Sequence, residues 1–363
     1  MNSKERVRCA IDHSQPDRVP IDYHARSEIT AALIEHLCVD SEERLREILG
    51  VDVRSVGPAF VQPRASDLRY ADPTVRVADG IYYDIWGVGF QPNQTSVGFY
   101  MDLASSPLEG DLSLTELDRY PWPTADMWDY GRIAQDARSY GRYWVWGHSR
   151  GIFEISWFLR SFDAFMLDLV DRPELANALM DRVQAYLMDK TRAILDAGDG
   201  QIDMIEYNDD VGGQNGLLIS PPMWRAFLKP RFAAFIQMCK GYGVKIRYHS
   251  CGGVRPIISD LIEIGVDVLN PVQTLAAGME PVALKWDFGA HLTFDGGVDT
   301  QRLLPMAPAG KVREEVQWLI DTLGRDGGYI LAPSHALQAD VPLANVLAMY
   351  ETALGHAIPL ANR

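Results

Sequence analysis

The sequence lacks the features that mark secreted, membrane-spanning or disulfide-rich proteins. Its 363 residues include only four cysteines, and their spacing fits neither a disulfide framework nor a C-x-x-C site. We therefore expect reduced thiols and a cytoplasmic protein. No stretch reaches the ~18 consecutive apolar residues of a transmembrane helix. The charged start, residues 1–6, leads into no apolar core of signal-peptide length, so no membrane association is expected.

An excess of positive charge is also lacking. Lys and Arg number 34 against 49 Asp and Glu, which gives a formal net charge of −15. Such a chain repels nucleic acids and anionic membranes, so we expect neither as a partner. A small-molecule substrate is expected instead, and an anionic one needs a local cluster of arginines to hold it.

The phosphate-binding fingerprint G-x-G-x-x-G is absent, which argues against a doubly wound dinucleotide-binding sheet. What recurs is a short apolar strand, a polar tip and then a helix, and this alternation favours an α/β protein with a parallel sheet. Eight such units favour a closed (β/α)₈ TIM barrel, expected as a single domain over residues 1–363. The eight strands are expected at 19–22, 51–56, 143–148, 202–207, 244–248, 266–269, 291–294 and 329–331.

One connection is too long for a simple barrel loop. About residues 57–141 separate the second and third strands. The strand-like runs 81–90 and 96–101 are expected to pair as a hairpin with its turn near Pro92 and Asn93. Such an insertion over the barrel mouth shapes a substrate pocket.

A candidate metal site follows the fifth strand. His249 and Cys251 are two residues apart at its carboxyl end, so both side chains can point the same way and ligate one metal, typically zinc. A second imidazole, His335, follows the eighth strand. Strand ends of a barrel meet at one mouth, so we expect His249, Cys251 and His335 to share one pocket.

Other polar residues lie at the expected strand ends. Three acidic residues, Glu206, Asp209 and Asp210, are candidates for orienting substrate or acting as a base. His148 is interpreted as a packed imidazole, and Asp295 as part of a turn that can still contact substrate. The expected substrate-binding residues are His24, Arg26, Trp86, Arg150, Glu154, Tyr207, Asn270, Gln273 and Asp295.

Several short motifs occur in the chain after residue 200. They are N-G at 215–216, I-S-P at 219–221, K-P at 229–230, H-S-C-G at 249–252, I-G-V-D at 264–267 and P-L-A-N-V at 342–346. Together these motifs resemble the uroporphyrinogen decarboxylase superfamily. The likeness covers nearly the whole chain, is weaker before residue 140, and implies a (β/α)₈ barrel.

The superfamily contains two chemistries. The metal-free haem-pathway decarboxylases carry an N-terminal R-Q-A-G-R signature, which this chain lacks: it has Tyr23-His24-Ala25-Arg26 there. The zinc methyltransferases that act with corrinoid proteins carry an H-x-C pair, which His249 and Cys251 match. In that branch an acid ends the sixth strand and a Cys follows the eighth; here Asn270 and His335 replace them.

The resemblance therefore predicts a zinc-dependent methyltransferase or demethylase that acts on a small methylated substrate with a corrinoid protein as partner. His249, Cys251 and His335 would ligate the zinc. One alternative is a metal-free decarboxylase in which Arg26 and Arg150 hold a carboxylate and Asp210 steers protons. Another is a non-catalytic protein that holds a small ligand in the barrel mouth.

Overall fold

A parallel seven-stranded sheet forms the centre of the molecule. The computed structural model describes residues 1–95 and 98–359. Each strand pairs in parallel with the next along the chain, so the sheet order is the chain order. The strands are β1 (Val53–Val56), β2 (Trp144–Arg150), β3 (Met204–Asn208), β4 (Lys245–His249), β5 (Val268–Val272), β6 (Thr293–Val298) and β7 (Tyr329–Pro333).

The segment around Ile21 closes the sheet into a barrel. On one side, the Leu331 N–H donates to the Pro20 carbonyl at 2.8 Å and the Asp22 N–H donates to the Leu331 carbonyl at 2.9 Å. On the other side, the Asp52 N–H donates to the Ile21 carbonyl at 2.9 Å. The expected first strand is thus an isolated bridge between Ile21 and Leu331. The Ile21 N–H donates to the Asp52 carboxylate and not to a carbonyl of a neighbouring strand. Pro20 has no N–H that could donate to one.

Helices cover the outside of the barrel, as expected for the (β/α)₈ fold. The last helix, Leu343–Leu354, ends at Gly355, which adopts φ 74°. The aromatic-rich segment 153–169 forms two helices, because Ser161 lies between them at φ 71°. The α-helices are Ser3–Ile11, Ser27–His36, Glu42–Ile48, Leu114–Arg119, Ile133–Ser139, Ile152–Arg160, Phe162–Asp171, Pro173–Gly198, Pro221–Phe227, Lys229–Lys240, Ile258–Ile264, Pro281–Phe288, Leu303–Met306, Ala309–Leu323 and Leu343–Leu354.

The connection between β1 and β2 carries an antiparallel sheet of its own. Its strands are Thr74–Ala78, Ile81–Asp84, Gly89–Thr95 and Gly98–Ser105. The expected turn near Pro92 and Asn93 is wrong, because both residues lie inside a strand and pair with Met101 and Tyr100. Residues 96 and 97, expected to begin the second strand of the hairpin, lie outside the described residues. Short strands at Ala59–Phe60 and Trp128–Asp129 pair near the two ends of this connection.

The strands bury apolar side chains on their outer face and polar ones inside the barrel. Tyr207 points outward and stacks on Phe232, with ring centroids 4.3 Å apart. Arg247 of β4 lies opposite Glu206 of β3 in the register, so both side chains point inward. Within residues 1–95 and 98–359, no helix is long and apolar enough to cross a membrane.

Candidate metal centre

A cavity of about 260 Å³ opens at the carboxyl ends of the barrel strands. This is the end where barrels carry their functional groups. The structure brings most of the expected polar residues into the cavity wall. Those that line it are His24, Arg26, Arg150, Glu154, Asp210, His249, Cys251, Asn270 and His335.

Asp210, His249 and Cys251 form a compact group of metal-ligand atoms, all within 4.8 Å of one another. The His249 Nε2 atom lies 3.9 Å from Cys251 Sγ and 3.8 Å from Asp210 Oδ1. Ligands on tetrahedral zinc, bound at about 2.0–2.3 Å, lie roughly 3.3–3.8 Å apart. The spacing of the three side chains therefore fits a zinc ion with little movement.

The orientation of His249 also suits a ligand. Its Nδ1 lies 2.6 Å from the Asn270 side-chain oxygen, and the Asn270 amide nitrogen donates in turn to Asp295 Oδ1 at 3.0 Å. Since Asn270 offers an oxygen, the His249 proton belongs on Nδ1. Its Nε2 then keeps a free lone pair toward Asp210 and Cys251. Support of this kind behind a metal-ligating histidine fixes its tautomer and ring orientation.

The loop around Cys251 is held by hydrogen bonds on both sides. The Cys251 N–H donates to Asp210 Oδ1 at 2.8 Å, and the Gly252 N–H donates to Gln273 Oε1 at 2.8 Å. Gly252 adopts φ 83°, and a Cβ there would lie 2.5 Å from the Gly213 backbone. Only glycine fits this turn. The backbone thus presents the Cys251 side chain at a fixed place.

The buried, negatively charged surroundings of Cys251 favour a bound cation. Burial and the adjacent Asp210 carboxylate raise the pKa of the Cys251 thiol well above its usual value. Without a positive charge nearby, the thiol stays protonated and is a poor ligand or nucleophile. A bound metal ion reverses this preference and deprotonates the thiol. A donor set of one imidazole, one thiol and one carboxylate is typical of zinc.

His335 lines the same cavity but is not part of the compact group. Burial, followed by the nearby His249, lowers its pKa, so its imidazole is neutral at pH 7 as a ligand must be. Its expected role as third ligand stays a prediction. Asp210, expected to orient substrate or act as base, lies in the compact group with His249 and Cys251.

The other two acidic candidates have structural partners. Asp209 is buried, and its carboxylate accepts from the Phe153 N–H at 3.2 Å and the Glu154 N–H at 2.9 Å. It caps the helix Ile152–Arg160 and does not line the cavity. Its expected catalytic role stays a prediction. Glu206 lies beneath the cavity and pairs with Arg247 and His148.

Arg150 and Glu154 sit together in the wall of the cavity. Arg150 donates to Asp72 at 2.7 Å and to Glu154 at 3.1 Å, and all three side chains are buried. The Tyr70 hydroxyl donates to Glu154 at 3.0 Å. Asp72 and Tyr70, which come from the long connection, were not expected from the sequence. Asp72 and Glu154 thus balance the charge of Arg150, and Tyr70 holds Glu154 in place.

Four expected substrate-binding residues lie behind the cavity wall. The Trp86 indole N–H donates to Asp72 at 3.0 Å, and the Tyr207 hydroxyl accepts from the Ile152 N–H at 3.0 Å. Gln273 fixes the Cys251 loop, and Asp295, expected in a turn, lies within β6 and supports Asn270. None of the four lines this cavity, and Trp86 instead lines a second cavity next to it.

Arg247 is the main residue that sequence reasoning missed. It lies inside the barrel, where its guanidinium is 3.1 Å from Asp22, 3.3 Å from Glu206 and 3.0 Å from Asp295. From the sequence, the segment 244–248 is interpreted only as an apolar strand. Side chains two residues apart in a strand point to the same face, so the position of Arg247 two residues before His249 indicates that both face the barrel interior.

The chain thus folds as a (β/α)₈ barrel with the Asp210, His249 and Cys251 group at the carboxyl ends of its strands. The family model described as Uroporphyrinogen decarboxylase (URO-D) matches residues 132–356. The chain belongs to this family.

Similar proteins come from both chemistries of the family. The Uroporphyrinogen decarboxylase of Thermus thermophilus is 27% identical over 177 residues, 47% of this chain and 46% of that protein. The Methylcobamide:CoM methyltransferase MtaA of Methanosarcina barkeri is 25% identical over 192 residues, 53% of this chain and 52% of that protein. The matched region of this chain thus spans about half the length of these curated relatives.

A solved structure shares the fold over the whole chain. A methyltransferase from Methanosarcina mazei superposes with a TM-score of 0.69 at 20% identity and covers 98% of this chain and 99% of that one. This likeness extends to the N-terminal part that the family model leaves unmatched. It supports the barrel architecture for the full chain.

Proposed function

We propose that this protein is a zinc-dependent methyltransferase or demethylase that acts on a small methylated substrate. The observation that carries the proposal is the group formed by Asp210, His249 and Cys251 at the barrel mouth. A metal-free decarboxylase has no need of a thiol and an imidazole whose ligand atoms lie within zinc distance. The similarity to a Methylcobamide:CoM methyltransferase supports the same chemistry.

The protein's own residues would each take a defined part. His249, Cys251 and Asp210 would hold the metal, and His335 would complete the site or contact the substrate from the same wall. Asn270 would keep His249 in the tautomer that leaves Nε2 free. When bound, zinc would supply a Lewis acid that activates a thiol or polarises a methyl-bearing oxygen.

A corrinoid protein is the proposed partner in the methyl transfer. The name of the Methanosarcina barkeri relative states that it uses a methylcobamide. The cavity opens at the barrel mouth, where a methyl group carried by another protein can approach the cluster. The methyl group would be transferred at the barrel mouth, and the substrate would bind in the cavity at the strand ends.

The runner-up is a metal-free decarboxylase, and the Thermus thermophilus relative supports it. Its carboxylate clamp would consist of Arg26 and Arg150. Arg150 already pairs with Asp72 and Glu154. Arg26, whose guanidinium lies over the Tyr100 ring, has no ion-pair partner among residues 1–95 and 98–359. A cavity of about 260 Å³ lies below the ~300–1,000 Å³ of drug-sized ligand sites, so we do not expect a tetrapyrrole as substrate.

Metal analysis and methyl transfer separate the candidates. We expect the purified protein to bind one zinc per chain and Cys251→Ala to bind none. With zinc loaded, we expect methyl transfer from a methylated corrinoid to a thiol, or from a methyl ether to a reduced corrinoid. A protein that takes up no zinc but decarboxylates would favour the runner-up, and a protein with neither reaction would favour a binding role.

The same assay tests His335. We expect His335→Ala to weaken zinc binding and abolish turnover. His335→Cys should bind zinc at least as tightly and shift reactivity toward thiol methylation, because a second thiolate makes the metal less positive. Full activity of His335→Ala would remove this residue from the mechanism and leave Asp210, His249 and Cys251 as the functional group.

A further inference from the structure

A second cavity of about 200 Å³ adjoins the first one. The two share Ala71, His148 and Arg150 in their walls. Each volume is below the ~300–1,000 Å³ that ligand pockets usually have, and together they reach that range. A substrate whose reactive end lies at the metal cluster could therefore extend past His148 into the second cavity.

The second cavity contains an unpaired lysine. Lys190 projects into it from the helix Pro173–Gly198, and its Nζ lies 3.7 Å from the centroid of the Trp128 ring. Across residues 1–95 and 98–359, its ammonium has no hydrogen-bond or ion-pair partner. Burial lowers the pKa of Lys190, and the Asp72 carboxylate partly opposes this effect. Lys190 is partly buried, and a partly buried ammonium that faces a cavity without a direct ion pair favours an anionic ligand.

The charges around Lys190 add to this preference. The cavity is lined by three cationic residues, Lys190, Arg150 and Arg69, and by the carboxylate of Asp72. Glu154, which lines the adjoining first cavity, is a second carboxylate next to this wall and pairs with Arg150. Asp72 is already committed to Arg150 and to the Trp86 indole N–H. The net charge of the wall is thus positive, although the protein as a whole carries −15. A local field of this sign attracts an anion that the rest of the molecule repels.

The remaining wall is aromatic and aliphatic. Trp86, Trp128 and Tyr186 lie next to one another, with the Trp86 and Tyr186 rings edge to face at 4.8 Å. The Trp128 indole N–H donates to the Tyr186 hydroxyl at 2.9 Å, so this polar group is satisfied. Flat apolar walls around one cation suit the body of an organic acid better than a small inorganic ion.

We propose that the second cavity is a subsite for the anionic end of the substrate, held by Lys190, and that the substrate class is small organic acids with an aromatic or aliphatic body. This inference rests on the proposed function for the idea that the other end of the molecule reacts at the metal cluster. The subsite itself contains none of the proposed metal ligands.

Calorimetric titration tests the subsite separately from the metal. The protein carries Cys251→Ala, so that no carboxylate can bind through zinc. The probes are benzoate, phenylacetate and 3-phenylpropanoate, each compared with its neutral amide. We expect at least one acid to bind and its amide to bind about tenfold more weakly or worse, because only the acid pairs with Lys190.

Variants of the lysine complete the test. Lys190→Met keeps the aliphatic stem over Trp128, and we expect it to lose about tenfold or more in acid affinity while amide binding stays unchanged. Lys311→Met is the control, since it removes one exposed positive charge elsewhere and should leave the affinity within about twofold. Equal affinity for acid and amide, equal affinity of Lys190→Met and the control, or no binding by any acid would overturn the subsite. Absence of zinc in the wild-type protein would overturn the proposed function alone.

Discussion

At the scale of single residues, Arg247 is the centre of the charged barrel interior. It faces Asp22, Glu206 and Asp295 within 3.3 Å or less. Burial opposes ionisation of Glu206, but Arg247 and His148 hold the pKa of its carboxyl well below the usual range. Burial raises the pKa of Asp295 to about 7 in spite of Arg247, because Asp22 also repels its charge.

Removing the charge of Arg247 should therefore destabilise the fold. We expect Arg247→Met to lower the free energy of unfolding by about 3–5 kcal/mol, since it leaves buried carboxylates without a counter-ion. Arg247→Lys keeps the charge and should cost less. Urea denaturation of the three proteins measures this difference. A loss below about 1 kcal/mol for Arg247→Met would show that the carboxylates protonate or rearrange easily.

Asn270 should act on the metal site through His249. Removal of its side-chain oxygen in Asn270→Ala frees the His249 ring and its tautomer, so we expect zinc affinity to fall about 10–100-fold. Competition with a zinc chelator measures the change. Asn208→Ala is the matched control, because Asn208 also lines the cavity and lies opposite His249 in the register of β3 and β4. Similar losses in both variants would contradict a specific role for Asn270.

The sequence indicated which residues belong to the candidate site better than which of them contact one another. His249 and Cys251 were found because an H-x-C pair at a strand end places both side chains in one pocket. Asp210 was placed in that pocket, but its closeness to Cys251 depends on a backbone hydrogen bond that no sequence spacing indicates. Tyr70 and Asp72 come from the long connection, whose path over the barrel has no periodic signal.

At the scale of elements, the turn after Ile81–Asp84 carries a buried carboxylate. Asp84 Oδ1 accepts from the Trp86 and Val88 N–H groups at 2.8 and 3.0 Å. Burial, together with repulsion from Asp72, raises the pKa of Asp84 from 3.8 to about 7. The folded state thus favours the protonated form more than the unfolded state does. Protonated Asp84 therefore contributes its full share of stability at pH values below the pKa of the unfolded state. That share is lost as the pH rises toward the pKa of the folded state.

We therefore expect wild-type stability to fall as pH rises from about 4 to about 7, with Asp84 contributing up to about 1.4 kcal/mol per pH unit. Asp84→Asn keeps the accepting oxygen and does not ionise, so its stability should depend less on pH. Urea midpoints across this range measure the difference between the two proteins. Identical pH dependence would mean that Asp84 is ionised throughout.

The ends of an element can be predicted where capping residues lie at them. They cannot be predicted where pairing with a distant strand sets the end of the element. The bounds of the last helix, Leu343–Leu354, can be read from the sequence, because Pro342 precedes it and Gly355 ends it. The turn at Pro92 was predicted wrongly because proline usually ends a strand. Beyond Phe90, however, the strand Gly89–Thr95 pairs on one side only, and such an edge tolerates the missing N–H of proline.

At the scale of the whole molecule, the barrel was predictable from eight repeated units. The first unit is reduced to a bridge at Ile21, because the Asp52 side chain replaces a strand partner. The apolar core is continuous from Val7 to Ile358 and includes Trp86 and Phe90 of the long connection. We predict that residues 1–363 form one domain and unfold in one transition, with circular dichroism and tryptophan fluorescence coinciding. A separate early transition in fluorescence would mean that the connection unfolds on its own.

We propose that Asp210, His249 and Cys251 bind zinc at the barrel mouth, and zinc-edge X-ray absorption of the purified protein reports on these ligands. We predict one sulfur ligand at about 2.3 Å and nitrogen or oxygen ligands at about 2.0–2.2 Å, with the sulfur shell lost in Cys251→Ser. A protein without zinc after purification and zinc addition, or a zinc shell without sulfur, would contradict the account.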